Sequence, residues 1–240
     1  MEIKMILVYG FFKTLAICLV WLKITQFLTK NRITSNPTSR KIIHIGTGFI
    51  YVMCWSFFPE RDPFSRYAVA LVPFLISLQF TLIALGYIKD RETVNSMSRS
   101  GRAIELLYGP VSYGIVLTLC TVWYWTESPI GVTSLCILCF GDGFAGLFGA
   151  LYGRKRLPIN SNKTYVGSIS FLVFSFFGTI LLLHLMQMLG LMYYLSITSY
   201  IPSLAITCFV CCLVESLPIE DWDNVSVFLA SINLLRFLGW

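Results

Sequence analysis

Three features of this 240-residue chain could do chemistry: an aspartate inside one apolar run, a lysine ahead of another, and a knot of acids ahead of a third. Asp142 stands in Cys139-Phe140-Gly141-Asp142-Gly143-Phe144-Ala145-Gly146 and is the only Asp, Glu, Lys, Arg or His between Glu127 and Arg154. An ionised aspartate near the centre of a membrane helix costs roughly 2.5 to 3.5 kcal/mol, against about 0.3 to 0.6 gained per Leu, Ile, Phe or Val. The surrounding run holds ten such residues, enough to offset one acid. An acid retained at that cost reads first as functional, facing a metal ion, a proton or a substrate. Lys163 precedes Thr164, Gly167 and Ser168 where a new apolar run begins. An ammonium, two hydroxyls and unpaired N–H groups at a helix N-terminus suit a phosphate. A Walker-type nucleotide loop is excluded, because that pattern needs glycines where Leu157 and Asn162 stand and a preceding strand. Further on, Glu215, Glu220, Asp221 and Asp223 crowd the segment 214–224, which has no Lys or Arg. Carboxylates beside cations are what phosphoryl transfer requires, with metal ions bridging phosphate oxygens and a carboxylate near the attacking hydroxyl. A solvated turn acidic by chance is the plainer alternative for that last segment.

The elements that must position these groups are membrane helices. Hydrophobic residues make up 56% of the chain and charged ones 12%, half the share usual in soluble domains. Apolar runs recur at 5–28, 42–58, 67–88, 108–125, 130–151, 165–189, 191–213 and 225–240, the last being the weakest. Each approaches the roughly 20 residues a helix needs to cross a bilayer core, and their continuity excludes alternating barrel strands. The expected fold is therefore an all-α polytopic transmembrane helix bundle of 7 to 8 spans, a single integral membrane domain over 1–240. The first run is too long for a signal-peptide core and reads as a span.

The net charge of +6 is distributed topologically, not as a nucleic-acid-binding face. Lys30, Arg32, Arg40 and Lys41, then Lys89, Arg91, Arg99 and Arg102, then Arg154, Lys155, Arg156 and Lys163 fill loops one, three and five. Loops two, four and six hold only Arg61 and Arg66 between them, twelve basic residues against two. The positive-inside rule puts the odd loops on the cytoplasmic-equivalent face. Loop seven, with its acids, falls on that same face. Arg154 to Arg156 serve first as orienting charges, Arg154 also being a phosphate candidate. His44 shares a helical face with Arg40 and Lys41 and reads alone as a packed interfacial residue; Glu105, one turn from Arg102, reads alone as a helix ion pair. All eight cysteines lie in or beside apolar runs, and Cys136-x-x-Cys139 has no second ligand pair, so they read as packing residues. The glycines near Asp142, with Gly149 and Gly153, read as close-packing positions, not as a phosphate cradle.

Taken in order, Arg40-Lys41-x-x-His44, Gly101-Arg102, Glu105-Leu106-Leu107-x-Gly109-Pro110, Glu127-Ser128-Pro129-Ile130-Gly131, Gly141-Asp142-Gly143, Gly153-Arg154, Pro158-Ile159-Asn160, Lys163-Thr164-x-x-Gly167-Ser168, Glu215-Ser216-Leu217-Pro218 and Asp223-Asn224 resemble the phytol kinase family. That family is related to farnesol kinases and, more distantly, to dolichol and diacylglycerol kinases that use CTP. The likeness covers roughly residues 40 to 235. It implies transfer of the γ-phosphate of CTP, or a related nucleotide, to phytol, farnesol or geranylgeraniol drawn from the lipid phase, with Mg2+ or a similar cation. On that basis Asp142 and Asp223 are expected as metal ligands or base, with Glu215 in support. Lys163, Arg154, Thr164, Gly167, Ser168, Arg40, Lys41 and His44 are expected around the nucleotide phosphates, and Arg102, Glu105, Asn160 and Asn224 as positioning residues. Gly146 and Trp222 stand where many members carry further aspartates. The rival classes are a cytidylyltransferase acting on phosphatidate and a non-catalytic membrane protein or transporter. A transporter would spread polar groups along a path through its spans, whereas here they gather at one face.

Overall fold

The computed structural model describes residues 2–218 and 222–240; Glu220 and Asp221 of the acidic segment lie outside the described residues. Every named element is helical: α1 (Glu2–Lys30), α2 (Asn36–Met53), α3 (Ser65–Ala84), α4 (Arg91–Met97), α5 (Ser112–Tyr124), α6 (Pro129–Cys136), α7 (Gly143–Tyr152), α8 (Tyr165–Met188), α9 (Ile197–Ser216) and α10 (Asp223–Phe237). Two stretches of wider π-helix, Leu107–Val111 and Ile137–Asp142, continue directly into α5 and α7.

Among the described residues, six helical stretches are long and apolar enough to cross a membrane: Ile3–Lys30, Ser65–Ala84, Leu107–Tyr124, Pro129–Tyr152, Tyr165–Met188 and Ile197–Ser216. The chain is a multi-pass membrane protein. The expectation of 7 to 8 spans is thus corrected to six on length and composition. The run 42–58 belongs to α2, which starts at Asn36 and carries Arg40, Lys41 and His44, and 225–240 belongs to α10, only 15 residues long. At 1.5 Å per residue α10 rises about 22 Å, short of a bilayer core of about 30 Å. The run 191–213 shifts to 197–216 because Gly190, at φ 82°, ends α8. There the N–H groups of Gly190 and Leu191 return to the carbonyls of Gln187 and Met186 at 3.0 and 2.9 Å. A left-handed residue is needed for that closure, and glycine adopts it without a Cβ penalty.

The chain divides into two compact units, 1–122 and 123–240. In the first, α1 and α2 run alongside each other: Thr29 donates to Ser39 at 2.6 Å near one end, and Phe57 and Phe58 close on Gly10 at the other. Gly46 lets the Trp21 ring lie against the α2 backbone, where a Cβ would fall 2.1 Å from it. Leu22, Ile43, Phe80, Ile83, Val94, Met97, Leu106 and Val111 form a core between α1, α2, α3 and α4. In the second unit α8 packs against α7 and α9, and α10 folds back along α9. Small residues admit rings here too, Gly141 facing Phe171 and Gly178 facing Phe140. Ile169, Val173, Phe177 and Leu181 form an exposed stripe on α8, spaced to occupy one helical face. In a bilayer, such packing replaces the hydrophobic drive that lipid cannot provide.

Candidate active site

Asp142 closes the π-helical stretch Ile137–Asp142, whose six residues are all buried. A π-helix adds a residue per turn and so re-aims the side chains beyond it, which is why such stretches recur at functional sites. Asp142 is 3% exposed. Its charge acts on Lys163, in the loop that joins α7 to α8.

That loop is a folded hairpin. Arg156 and Thr164 form an antiparallel bridge, the N–H of Leu157 donates to the carbonyl of Lys163 at 3.0 Å, and that of Tyr165 to Lys155 at 3.2 Å. Asn160 ties the hairpin to the end of α9, its side-chain amide donating to the Leu217 carbonyl at 3.1 Å. Lys163 is thereby aimed at the acids. Its ammonium donates to Glu215 Oε1, buried at the end of α9, and lies 4.0 Å from Asp223 Oδ2 at the start of α10. Burial pulls the Lys163 pKa down, but attraction by Glu215, Asp142 and Asp223 outweighs it and holds the group above its ordinary value. Two carboxylates from α9 and α10 thus meet one lysine, and the charge of Asp142 also acts on it.

Thr164 and Gly167 have a different place from the one their sequence context suggested. Thr164 caps α8, its hydroxyl accepting from the Gly167 N–H at 3.0 Å, and Thr164 is buried. The Gly167 amide is therefore already engaged, and the Ser168 amide returns to the Thr164 carbonyl at 3.0 Å. The Gly167 and Ser168 amides are thus bonded within the helix start and are not the unpaired donors expected there. Gly149, Gly153 and Gly167 surround the Thr164 hydroxyl so closely that a Cβ on any of them would come within 3.1 Å of it. The close-packing reading of Gly149 and Gly153 agrees with this. Ser168 instead turns toward α9, its hydroxyl 3.4 Å from that of Ser216. Ser216 and the role of Asn160 as a tether escaped the sequence reading; the small-x-x-x-small spacing of Gly149 and Gly153 was the available signal for the cap. Arg154 is exposed at the base of the hairpin, and Asn224 is buried beside Asp223, whose Oδ1 accepts from the Asn224 N–H at 3.0 Å.

Arg40, Lys41, His44, Arg102 and Glu105 belong to the first unit. His44 stacks on Tyr113, ring centroids 4.1 Å apart, and its carbonyl accepts from the Tyr113 hydroxyl at 3.1 Å. Arg40 and Lys41 are half-buried on α2. Glu105 does more than pair with Arg102. Its carboxylate accepts from the N–H of Ser100 at 3.0 Å, from the Ser100 hydroxyl and the Arg99 N–H, and from Arg102 Nε at 3.2 Å. Arg102 lies in a turn, not on a helix, so the ion pair is part of a clamp on the turn 99–105. Burial raises the Glu105 pKa, yet these bonds overcome it and bring the group down to about 2. A depressed carboxylate contributes its stability above the ordinary 4.5 and loses it as pH falls toward about 2. Glu105→Gln is accordingly expected to speed tryptic cleavage after Arg99 and Arg102 about ten-fold at neutral pH, equivalent to ~1.4 kcal/mol of local stability. Cleavage at the wild-type rate would remove the clamp.

Among the described residues no group of three or more His, Cys, Asp or Glu side chains is arranged to hold a metal ion. Mg2+ in phosphoryl transfer is held by one or two carboxylates together with substrate phosphates, and Asp142 and Asp223 are oxygen donors of the kind that use requires, without a closed protein cage. All eight cysteines are buried free thiols.

Comparison with known proteins identifies the family. The chain is 39% identical over 212 residues to a probable phytol kinase 1, chloroplastic, of Glycine max, covering 88% of this chain and 70% of that one. It is 38% identical over 209 residues to phytol kinase 1, chloroplastic, of Arabidopsis thaliana, covering 86% and 68%, and 34% identical over 211 residues to the farnesol kinase, chloroplastic, of the same plant, covering 84% and 66%. No family profile and no solved structure matches it. The motif order read from the residues and the identity sustained across nearly the whole chain agree: this protein is a membrane phosphotransferase of the phytol and farnesol kinase family.

Proposed function

We propose that this protein transfers the γ-phosphate of a nucleoside triphosphate, CTP foremost, to the primary hydroxyl of phytol, farnesol or geranylgeraniol, giving the alcohol monophosphate. The observation that carries the reading is Lys163 bonded to Glu215, 4.0 Å from Asp223 Oδ2 and acted on by the charge of Asp142. A bound Mg2+ would neutralise the charge that develops on the transferring phosphate. Asp142 and Asp223 would be its ligands or the base, the base taking the proton that the hydroxyl loses as its oxygen bonds to phosphorus. Lys163 and Arg154 hold the phosphate oxygens, Glu215 orients Lys163, and the departing nucleoside diphosphate leaves to water. The apolar tail lies among the spans, so the alcohol enters sideways from the lipid with its hydroxyl at the interface.

The kinase domain in this reading is the whole chain, 1–240.

Labelled nucleotide decides the reaction. Membranes holding the protein are incubated with α- or γ-labelled CTP or ATP and a panel of phytol, farnesol, geranylgeraniol, dolichol and diacylglycerol. Label from the γ position on one of the first three alcohols is the expected result. Label from the α position on lipid would instead make the protein a nucleotidyl transferase, and no label on any acceptor would leave it a non-catalytic member.

A further inference from the structure

The hairpin 153–164 joins two helical stretches long and apolar enough to cross a membrane, Pro129–Tyr152 and Tyr165–Met188, and so lies where a membrane face meets water. Both flanking residues are tyrosines, Tyr152 and Tyr165, and both are exposed. Tyrosines at the ends of spans sit at the level of the lipid headgroups. Arg154, Lys155 and Arg156 follow, all exposed, and the hairpin holds no acid. Among the described residues none of the three has a carboxylate partner. Lys155 lies over the Tyr165 ring, its Nζ 5.3 Å from the centroid, which keeps its charge beside a residue at headgroup level. Arg154 has a part in the proposed reaction; Lys155 and Arg156 have none. Resting, for its effect on turnover, on the part given above to Lys163, we propose that Lys155 and Arg156 bind the headgroups of anionic phospholipids. That contact steadies the lysine on the opposite strand, so that negatively charged lipid activates the enzyme.

The route from lipid to Lys163 is the ladder of the hairpin. Arg156 bridges Thr164, the Leu157 N–H donates to the Lys163 carbonyl at 3.0 Å, and the Tyr165 N–H to the Lys155 carbonyl at 3.2 Å. The basic strand and the strand that carries Lys163 are therefore held as one piece. A ladder so short opens readily by itself, because a pair of strands alone is marginal in water. Lipid phosphates give the two bases charge-assisted hydrogen bonds, and a negative surface draws each base toward it. Lipid that prefers the closed hairpin shifts its opening equilibrium toward closure, and Lys163 is then presented in one position.

The test reconstitutes the whole chain in vesicles of neutral phosphatidylcholine, or of the same lipid with about 30 mol% phosphatidylglycerol. Amide hydrogen exchange over residues 155–165, which include both cross-strand bonds, is read by mass spectrometry beside alcohol kinase turnover. Phosphatidylglycerol is expected to slow that exchange about ten-fold and to raise turnover several-fold. Salt at about 1 M, which shortens screening to about 3 Å, is expected to remove both effects. The double variant Lys155→Gln, Arg156→Gln is expected to behave alike in the two lipids and as wild type in the neutral one, with the single variants used should the double one not fold. Exchange that is equal in both lipids for the wild type, or slowed as much in the variant, overturns the docking. The same protection from inorganic phosphate added to neutral vesicles makes this a site for free anions and overturns the lipid assignment. Slowed exchange with unchanged turnover removes the effect on Lys163. No turnover in any lipid removes the proposed reaction, and exchange alone then decides the docking.

Discussion

Asp142→Asn is expected to lower turnover of the alcohol kinase reaction by about 10³-fold or more, the equivalent of ~4 kcal/mol of transition-state stabilisation. Asparagine keeps the shape of the side chain but carries no charge, so it neither neutralises a divalent ion nor takes up the hydroxyl proton. The fold should tolerate the change. Asp142 is 3% exposed within a helical stretch, and a neutral amide is cheaper to hold there than a carboxylate. Removing one of the three acids around Lys163 weakens the attraction that raises its pKa, yet leaves Glu215 in direct contact with it. The measurement is turnover of reconstituted protein with saturating alcohol and nucleotide, beside the thermal midpoint of the same preparation. A variant with near wild-type turnover would strip Asp142 of any direct part in the chemistry, and a collapsed midpoint would show the group to be structural.

Gly153→Ala is expected to be nearly as damaging although it adds a single methyl group. That carbon would lie 2.3 Å from the Gly149 carbonyl oxygen and 2.4 Å from the Thr164 hydroxyl. Neither is the loose end of a flexible side chain. The carbonyl accepts the Gly153 N–H at 3.1 Å, closing α7, and the hydroxyl caps α8. Overpacking a tight site costs about 1–3 kcal/mol, and losing a threonine cap adds about 1. The displaced Thr164 adjoins Lys163, so the strain passes directly into the lysine's aim at Glu215. The expected outcome is a lowered thermal midpoint and a fall in kcat/KM of about 10²-fold, the scale on which a displacement of 1 Å is felt in catalysis. Glycine at 153 has φ −77°, a value any residue can adopt, so the effect is steric and not conformational. Wild-type stability and activity in the alanine variant would mean that the α7–α8 turn yields freely, and with it the claim that this turn positions the lysine.

The same contrast between local and distant causes separates what could be read from the residues alone from what could not. Membrane habit and helical class were plain, because the length of an apolar run is compared with a bilayer thickness that does not depend on the fold. The family followed from motif order. Span limits were less secure: nothing in the apolar content of 191–196 announces that Gly190 closes α8 first, and α2 hides polar residues in its opening turns.

The hydrogen-bond register of Ile137–Asp142 was invisible as well. A helix apolar on every face carries no periodic signal to show a shift from α to π. Thr164 misled for a related reason, since a hydroxyl after a lysine at a helix start looks alike whether it awaits a phosphate or caps the helix. Only the approach of Gly149 and Gly153 distinguishes the two. Lys163 and Glu215 are 52 residues apart, one ahead of α8 and the other in the last turn of α9, and no local pattern pairs them. Their meeting depends on how α8, α9 and α10 pack, and in lipid that is decided by small residues, ring contacts and buried polar bonds, which take effect only when the helices stand side by side.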